Sequence, residues 1–186
     1  MNVKNLILSF LLLTILTLFT PQALAEEKTH ITSANFAAIL KAKEEDPRAK
    51  ILKGYLELHN SPLADNAQTF VEEADKYNLD WRLVASIAGV ESTFGQAEPA
   101  GCYNGWGYGI YGTNMMCFAS YDDAIHTISE SLREKYMDTW GATDVYDIGH
   151  YYAASPTWAD RVTYFMNDME TYRASVNDNQ PLSISL

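Results

Sequence analysis

Apolar residues recur with a helical period along most of the chain. Phe36, Ile39 and Leu40 mark a short early helix. Pro47 suits a first helical turn, and Ile51, Leu52, Tyr55 and Leu56 continue the period behind it until Asn60-Ser61-Pro62 breaks it. Phe70, Ala74 and Tyr77 carry a third helix. Asp80 is placed to cap a fourth over residues 81–92, in which Leu83, Ile87 and Glu91 share one face. From Gly95 to Cys117 the period is lost. Glycines at 101, 105, 107, 109 and 112 alternate with Tyr103, Trp106, Tyr108 and Tyr111, which predicts a loop or a small irregular sheet. Ser120 and Asp123 then resemble a capping box, with Asp in place of Glu, ahead of an amphipathic helix through Ala124, Ile125, Ile128, Leu132 and Tyr136. Thr143 is placed to cap a short helix with Val145, Ile148, Tyr151 and Tyr152. Thr157 is placed to cap a last one with Trp158, Val162, Phe165, Met166 and Met169. The sequence after Val176 is polar and predicts a loose tail over 177–186. The pattern predicts a single, mainly α domain of helices packed round one core.

The amino terminus changes this picture first. Lys4, an apolar run from Leu6 to Phe19 and the small residues Ala23-Leu24-Ala25 have the layout of a secretory signal peptide over residues 1–25. The mature domain then spans residues 26–176, and the expected location is secreted or periplasmic. The run is too short for a comfortable membrane span, so no stable membrane insertion is expected after cleavage. Removing the leader takes away one Lys and no acid, so the formal net charge moves from −11 to −12. Such a chain repels nucleic acid and anionic membranes, and no basic run counters that. Cys102 and Cys117, in an exported chain, predict a disulfide; two buried free thiols are the other reading. The four histidines are scattered and none stands at ligand spacing from a cysteine, so no metal is expected.

Glu91 is the candidate for chemistry. It ends an apolar helical segment, Leu83-Val84-Ala85-Ser86-Ile87-Ala88-Gly89-Val90-Glu91, on the same face as core residues. Burial there disfavours the charged carboxylate and raises its pKa, which suits a general acid; a solvated Glu at a helix end is the plain alternative. Glu98, in the loop after the helix, and Asp122 and Asp123, at a helix start where acids are common, are the carboxylates weighed as a second group.

A resemblance becomes specific at this point. Tyr77-Asn78-Leu79-Asp80-Trp81-Arg82, running on into the segment above and closing on Glu91-Ser92, resembles the catalytic helix of the lysozyme-like peptidoglycan lyases. These are the soluble lytic transglycosylases with their relatives, goose-type lysozymes and bacterial glucosaminidases. Gly95 matches a Gly common after the Glu-Ser pair in the glucosaminidase branch. Gly105-Trp106-Gly107-Tyr108-Gly109-Ile110 stands where that family has its Gly-rich groove segment. Phe118-Ala119-Ser120-Tyr121 is similar to a Phe/Tyr element of the glucosaminidase branch. Tyr151-Tyr152-Ala153-Ala154-Ser155, followed by Trp158-Ala159-Asp160-Arg161-Val162, resembles its late Tyr-Ala segment. The resemblance covers about residues 77–170. The Gly-Leu-Met-Gln of the transglycosylases is absent, and Gly107-Tyr108-Gly109-Ile110 stands in its place.

The resemblance implies a lysozyme-like (α+β) fold and a monomeric enzyme without cofactor that cuts the β-1,4 bond of peptidoglycan glycan strands. Cleaving such a bond needs a proton on the leaving oxygen and relief for an oxocarbenium-like centre, from a second carboxylate or from the substrate's own acetamido group, and the leading reading is a single acid with substrate assistance. Glu91 would be acid and then base, with Tyr152 supporting the reacting centre. Ser92, Tyr103, Trp106, Gly107, Tyr108 and Tyr151 would bind substrate. Each aromatic of the Gly-rich segment has a second reading as core, and Trp158 and Phe165 read as core from their spacing. An endo-β-N-acetylglucosaminidase or lysozyme-type hydrolase, and a non-catalytic glycan-binding protein, are the alternatives.

Overall fold

A computed structural model of the chain describes residues 46–109 and 116–178. The predicted signal peptide, the early helix at Phe36–Leu40, Tyr111 and Gly112 all lie outside the described residues. Six helices follow one another: α1 (Pro47–Leu58), α2 (Ala67–Lys76), α3 (Leu83–Ser92), α4 (Tyr121–Glu130), α5 (Val145–Tyr152) and α6 (Trp158–Asp178). No strand occurs among the described residues, so the protein is mainly α and the described part of the Gly-rich segment is loop, not sheet. Helix α4 runs without a break into a π-helical stretch, Ser131–Thr139.

The local chemistry explains most boundaries. Asp46 accepts the Arg48 N–H (2.8 Å) and Pro47 fills the first turn of α1. The chain leaves α1 through Asn60, whose φ of 51° is left-handed. Ser120 accepts the Asp123 N–H at 3.2 Å while Asp123 accepts the Ala119 N–H at 3.2 Å, a reciprocal cap built with an aspartate. Two expectations shift. Asp80 accepts the Arg82 N–H (2.9 Å), but it caps a preliminary turn and α3 proper begins at Leu83. The cap of α5 is Asp144, which accepts from Tyr146 and Asp147; Thr143 instead donates to Asp147, closing the same end from outside. The last helix also outruns its predicted end, continuing through Asp178.

Helix α3 is the centre of the fold. Seven consecutive residues, Leu83 to Gly89, are buried, and α6 lies along it. Leu52 and Leu56 of α1, Phe70 of α2, Ile125 and Ile128 of α4, and Val162 and Met169 of α6 close the core. Gly89 lets α6 and the chain after α3 approach closely. A Cβ there would lie 2.7 Å from the Phe94 ring and 3.1 Å from Phe165. A mid-helix glycine costs about 1 kcal/mol against alanine, which this close packing offsets. Cys102 and Cys117 are disulfide-bonded, and beside the bond the Phe118 N–H donates to the Cys102 carbonyl (2.9 Å). Closing a segment of this length is worth about 3 kcal/mol in chain entropy. None of the described helices is long and apolar enough to cross a membrane.

Candidate active site

Glu91 sits one residue from the end of α3, where the backbone turns sharply. Thr93, Phe94 and Gly95 take φ values of 54°, 56° and 82° in succession. A β-branched residue in the left-handed region is an outlier costing about 1–3 kcal/mol. The turn persists because its polar groups are tied back to α3. The Phe94 N–H reaches the Ala88 carbonyl at 3.0 Å, and the Gly95 N–H reaches Ser92 Oγ at 2.8 Å. Ser92 Oγ in turn donates to the Gly105 carbonyl at 2.6 Å, with the Ala88 carbonyl at 3.1 Å. Gly105 suits this docking, since a Cβ there would fall 3.1 Å from Ser92 Oγ, a tight contact. Ser92 is buried and its hydroxyl is saturated. It fastens the Gly-rich loop to the end of α3, with its hydroxyl engaged inside the protein.

As a residue, Glu91 is open to solvent, but one side of its carboxyl is held by protein. Oε1 accepts the indole N–H of Trp158 at 2.6 Å. Burial pushes the Glu91 pKa up, while the Trp158 hydrogen bond and the nearby charge of Arg161 oppose the rise; the net direction is upward. With Oε1 occupied by a donor, the acid's proton belongs on Oε2. Trp158 is 3% exposed, so the sequence-based core reading holds for its ring, but the N–H role is one that periodicity does not report. The only hint was general: a buried indole N–H needs an acceptor.

Tyr152 joins this constellation. Its ring stacks on Trp158 with centroids 4.8 Å apart and planes 23° apart. Its hydroxyl donates to the Trp106 carbonyl at 2.9 Å. Burial first, and the Glu91 charge second, hold its pKa well above the usual tyrosine range. The phenol therefore stays protonated with its proton committed to the loop, and its lone pairs remain able to accept.

Tyr152 also lines a cleft of about 510 Å³ with Tyr108, Tyr136, Trp140, Tyr151 and Lys135. Gly107, Gly109 and Met116 also line it, and a Cβ on Gly109 would meet Met116 at 3.0 Å. Tyr108 is held by its hydroxyl to Ser131 (3.1 Å) and by its N–H to Asn104 (3.0 Å). Tyr151 donates to the Trp140 carbonyl at 3.1 Å and is 51% exposed, Trp140 38%. Four predicted residues thus meet here: Gly107, Tyr108, Tyr151 and Tyr152. Two others do not. Trp106 is 0% exposed and donates to the Val84 carbonyl (2.8 Å), so it is core. Tyr103 packs edge-on against Tyr121, 5.0 Å away, outside the cleft lining. Tyr136, Trp140 and Lys135 were missed, because the π-helical stretch and the turn after it do not follow a pattern that separates cleft from core.

Glu98, Asp122 and Asp123 each have a structural partner, though Glu98 Oε2 is buried with no hydrogen bond. Glu98 accepts from the Tyr121 hydroxyl (2.6 Å), Asp122 from Thr69 (2.6 Å) and Asn66 (2.8 Å), and Asp123 serves the α4 cap. Among the described residues no cluster of three or more His, Cys, Asp or Glu could hold a metal ion. No protein-family model matches the chain, and no curated protein does.

Proposed function

We propose that the chain is an extracytoplasmic, lysozyme-like glycosidase that cuts the β-1,4 bond between muramyl and glucosaminyl sugars in peptidoglycan, acting as a lytic transglycosylase with Glu91 as its acid. The observation that carries this reading is the Glu91–Trp158–Tyr152 constellation beside an aromatic cleft. A carboxyl with a raised pKa has one oxygen fixed by an N–H and the other left to hold the proton. The disulfide and the leader-like amino terminus support a location outside the cytoplasm.

In the proposed reaction, the aromatic walls hold successive sugars by their apolar faces. Oε2 of Glu91 gives its proton to the glycosidic oxygen as the C1–O bond breaks, and the bonding pair leaves with that oxygen. The positive charge at C1 is relieved by the substrate's acetamido group, since Glu98, Asp122 and Asp123 are engaged elsewhere. The muramyl 6-hydroxyl then attacks C1 and returns its proton to the Glu91 carboxylate, leaving a 1,6-anhydro end. Trp158 stabilises that carboxylate between the two steps. Solvent exposure of Glu91 is the one observation that favours the second reading, hydrolysis by water.

The test is mass spectrometry of purified peptidoglycan after incubation with the mature protein and with Glu91→Gln. Anhydro-muropeptides from the wild type alone support the transglycosylase. Reducing-end products from the wild type alone move the enzyme to the hydrolases and keep Glu91. Release from neither, with both proteins folded, removes the glycosidase reading.

A further inference from the structure

The cleft holds one charge. Tyrosines, a tryptophan, a methionine and glycines line it, and Lys135 is the sole charged side chain among the described lining residues. Lys135 stands on the π-helical stretch, exposed, with Nζ 4.8 Å from the centroid of the Trp140 ring. That contact holds the ammonium at the rim and leaves its charge uncancelled, since an aromatic face attracts a cation without neutralising it. Most described cations are placed differently. Arg48, Lys53, Lys76, Arg82, Arg133 and Arg173 each lie within ion-pair distance of a carboxylate. The acid one helical turn from Lys135, Asp138, is turned to Arg133 (3.7 Å). In a chain of formal net charge −11, an ammonium kept for a ring beside an open cleft calls for an explanation.

Aromatic faces bind sugars of either kind, acidic or neutral, because stacking reads the apolar side of the ring. A cation at the rim does not treat them alike. We propose that Lys135 is a specificity-determining residue: its ammonium pairs with a carboxylate carried on a sugar seated in the aromatic cleft, so the preferred glycan is a stem-free muramyl strand, whose lactyl carboxylates are free, over one whose lactyl groups are amides. This rests on the glycosidase reading and deepens it, separating a strand with free lactyl carboxylates from one with lactyl amides. The carboxylate arrives beside Trp140, and Lys135 exchanges part of its ring contact for the ion pair.

The experiment uses mature Glu91→Gln, which binds without turnover, and calorimetry at low ionic strength. The two probes are an N-acetylglucosamine–N-acetylmuramic acid tetrasaccharide and the same molecule with its lactyl carboxylates converted to methyl amides. The acid form is expected to bind about fivefold more tightly than the amide, the upper range for a solvent-exposed ion pair, and the ratio is expected to fall as salt is added. Adding Lys135→Met brings the ratio to about one, and Lys135→Arg keeps it. Equal affinities with Lys135 present overturn the proposal. So does an equal loss for both probes in Lys135→Met, which makes Lys135 a brace for Trp140 only. If the wild type cuts peptidoglycan and the ratio is one, the specificity proposal alone falls. If neither probe binds and the wild type cuts nothing, the glycosidase reading falls and takes Lys135 with it.

Discussion

The two sides of the candidate site are built by different means. On the acid side, a few directional bonds set everything: an indole N–H on Glu91, a serine hydroxyl tying the loop to α3, and a run of left-handed residues held by two backbone N–H groups. On the cleft side the rings pack on one another, besides the hydroxyl bonds of Tyr108 and Tyr151. Tyr136 lies 4.9 Å from Trp140 and 5.9 Å from Tyr152, and Trp140 lies 5.0 Å from Tyr151. Directional bonds fix an atom to fractions of an ångström, which a proton donor requires. Ring packing fixes a surface, which a repeating saccharide requires. Damage to the first should therefore appear in kcat, and damage to the second in KM.

The sharpest way to break this contrast is Glu91→Gln, which removes the transferable proton and keeps the shape. Peptidoglycan turnover is expected to fall by about 10³-fold or more with binding retained. Residual turnover near the wild-type level would mean that the acid side carries no chemistry. Trp158→Phe comes next. It keeps the ring under Tyr152 but removes the N–H, and a hydrogen bond to a charged group is worth about 1.5–3 kcal/mol, so kcat is expected to drop roughly 10- to 100-fold. The same bond favours the carboxylate, so its loss raises the Glu91 pKa further. The alkaline limb of the pH–rate profile then moves to higher pH; a shift to lower pH contradicts the assigned role. On the cleft side, Trp140→Ala is expected to raise KM by about five- to tenfold, about 1 kcal/mol of ring contact, with kcat little changed. A kcat effect as large as that of Trp158→Phe would dissolve the contrast.

The smallest effect is thermal. The folded-state pKa of Glu91 lies above its ordinary value of 4.5, so ionising it costs stability. That cost is absent below pH 4.5, grows as the pH rises through the folded-state pKa, and is constant above it. Glu91→Gln should therefore melt slightly above the wild type at neutral pH, and the advantage should vanish near pH 4. Calorimetric melting at the two pH values checks the sign.

What was legible in the sequence follows the same division. The first turn at Pro47, the cap at Ser120, the break at Ser61-Pro62 and the buried face of α3 are local chemistry, and each can be read from neighbouring residues. Glu91 was legible as a candidate because a carboxylate ending so apolar a segment is anomalous. Trp158 was not, because hydrophobic periodicity records that a ring is buried and is silent about where its N–H points. Trp106 and Tyr108, two residues apart in a glycine-rich stretch, look alike in sequence. Only the packing against α3 sends the first into the core and leaves the second on the cleft. The π-helical stretch was hidden as well. Its apolar residues Leu132 and Tyr136 stand four apart, a spacing that α-helices also use, and the wider turn becomes visible only in the backbone.

Gly89 gives the acid side a further property. The space that a methyl group would fill at this position is already occupied by Phe94 and Phe165, so alanine here would have to push one ring aside. Phe94 is the middle of the three left-handed residues, and Glu91 stands between it and Gly89. The aim of the Glu91 carboxyl is thus calibrated by a missing carbon. The position works as a clearance in the mechanical sense: small, empty of any side chain of its own, and intolerant of being filled.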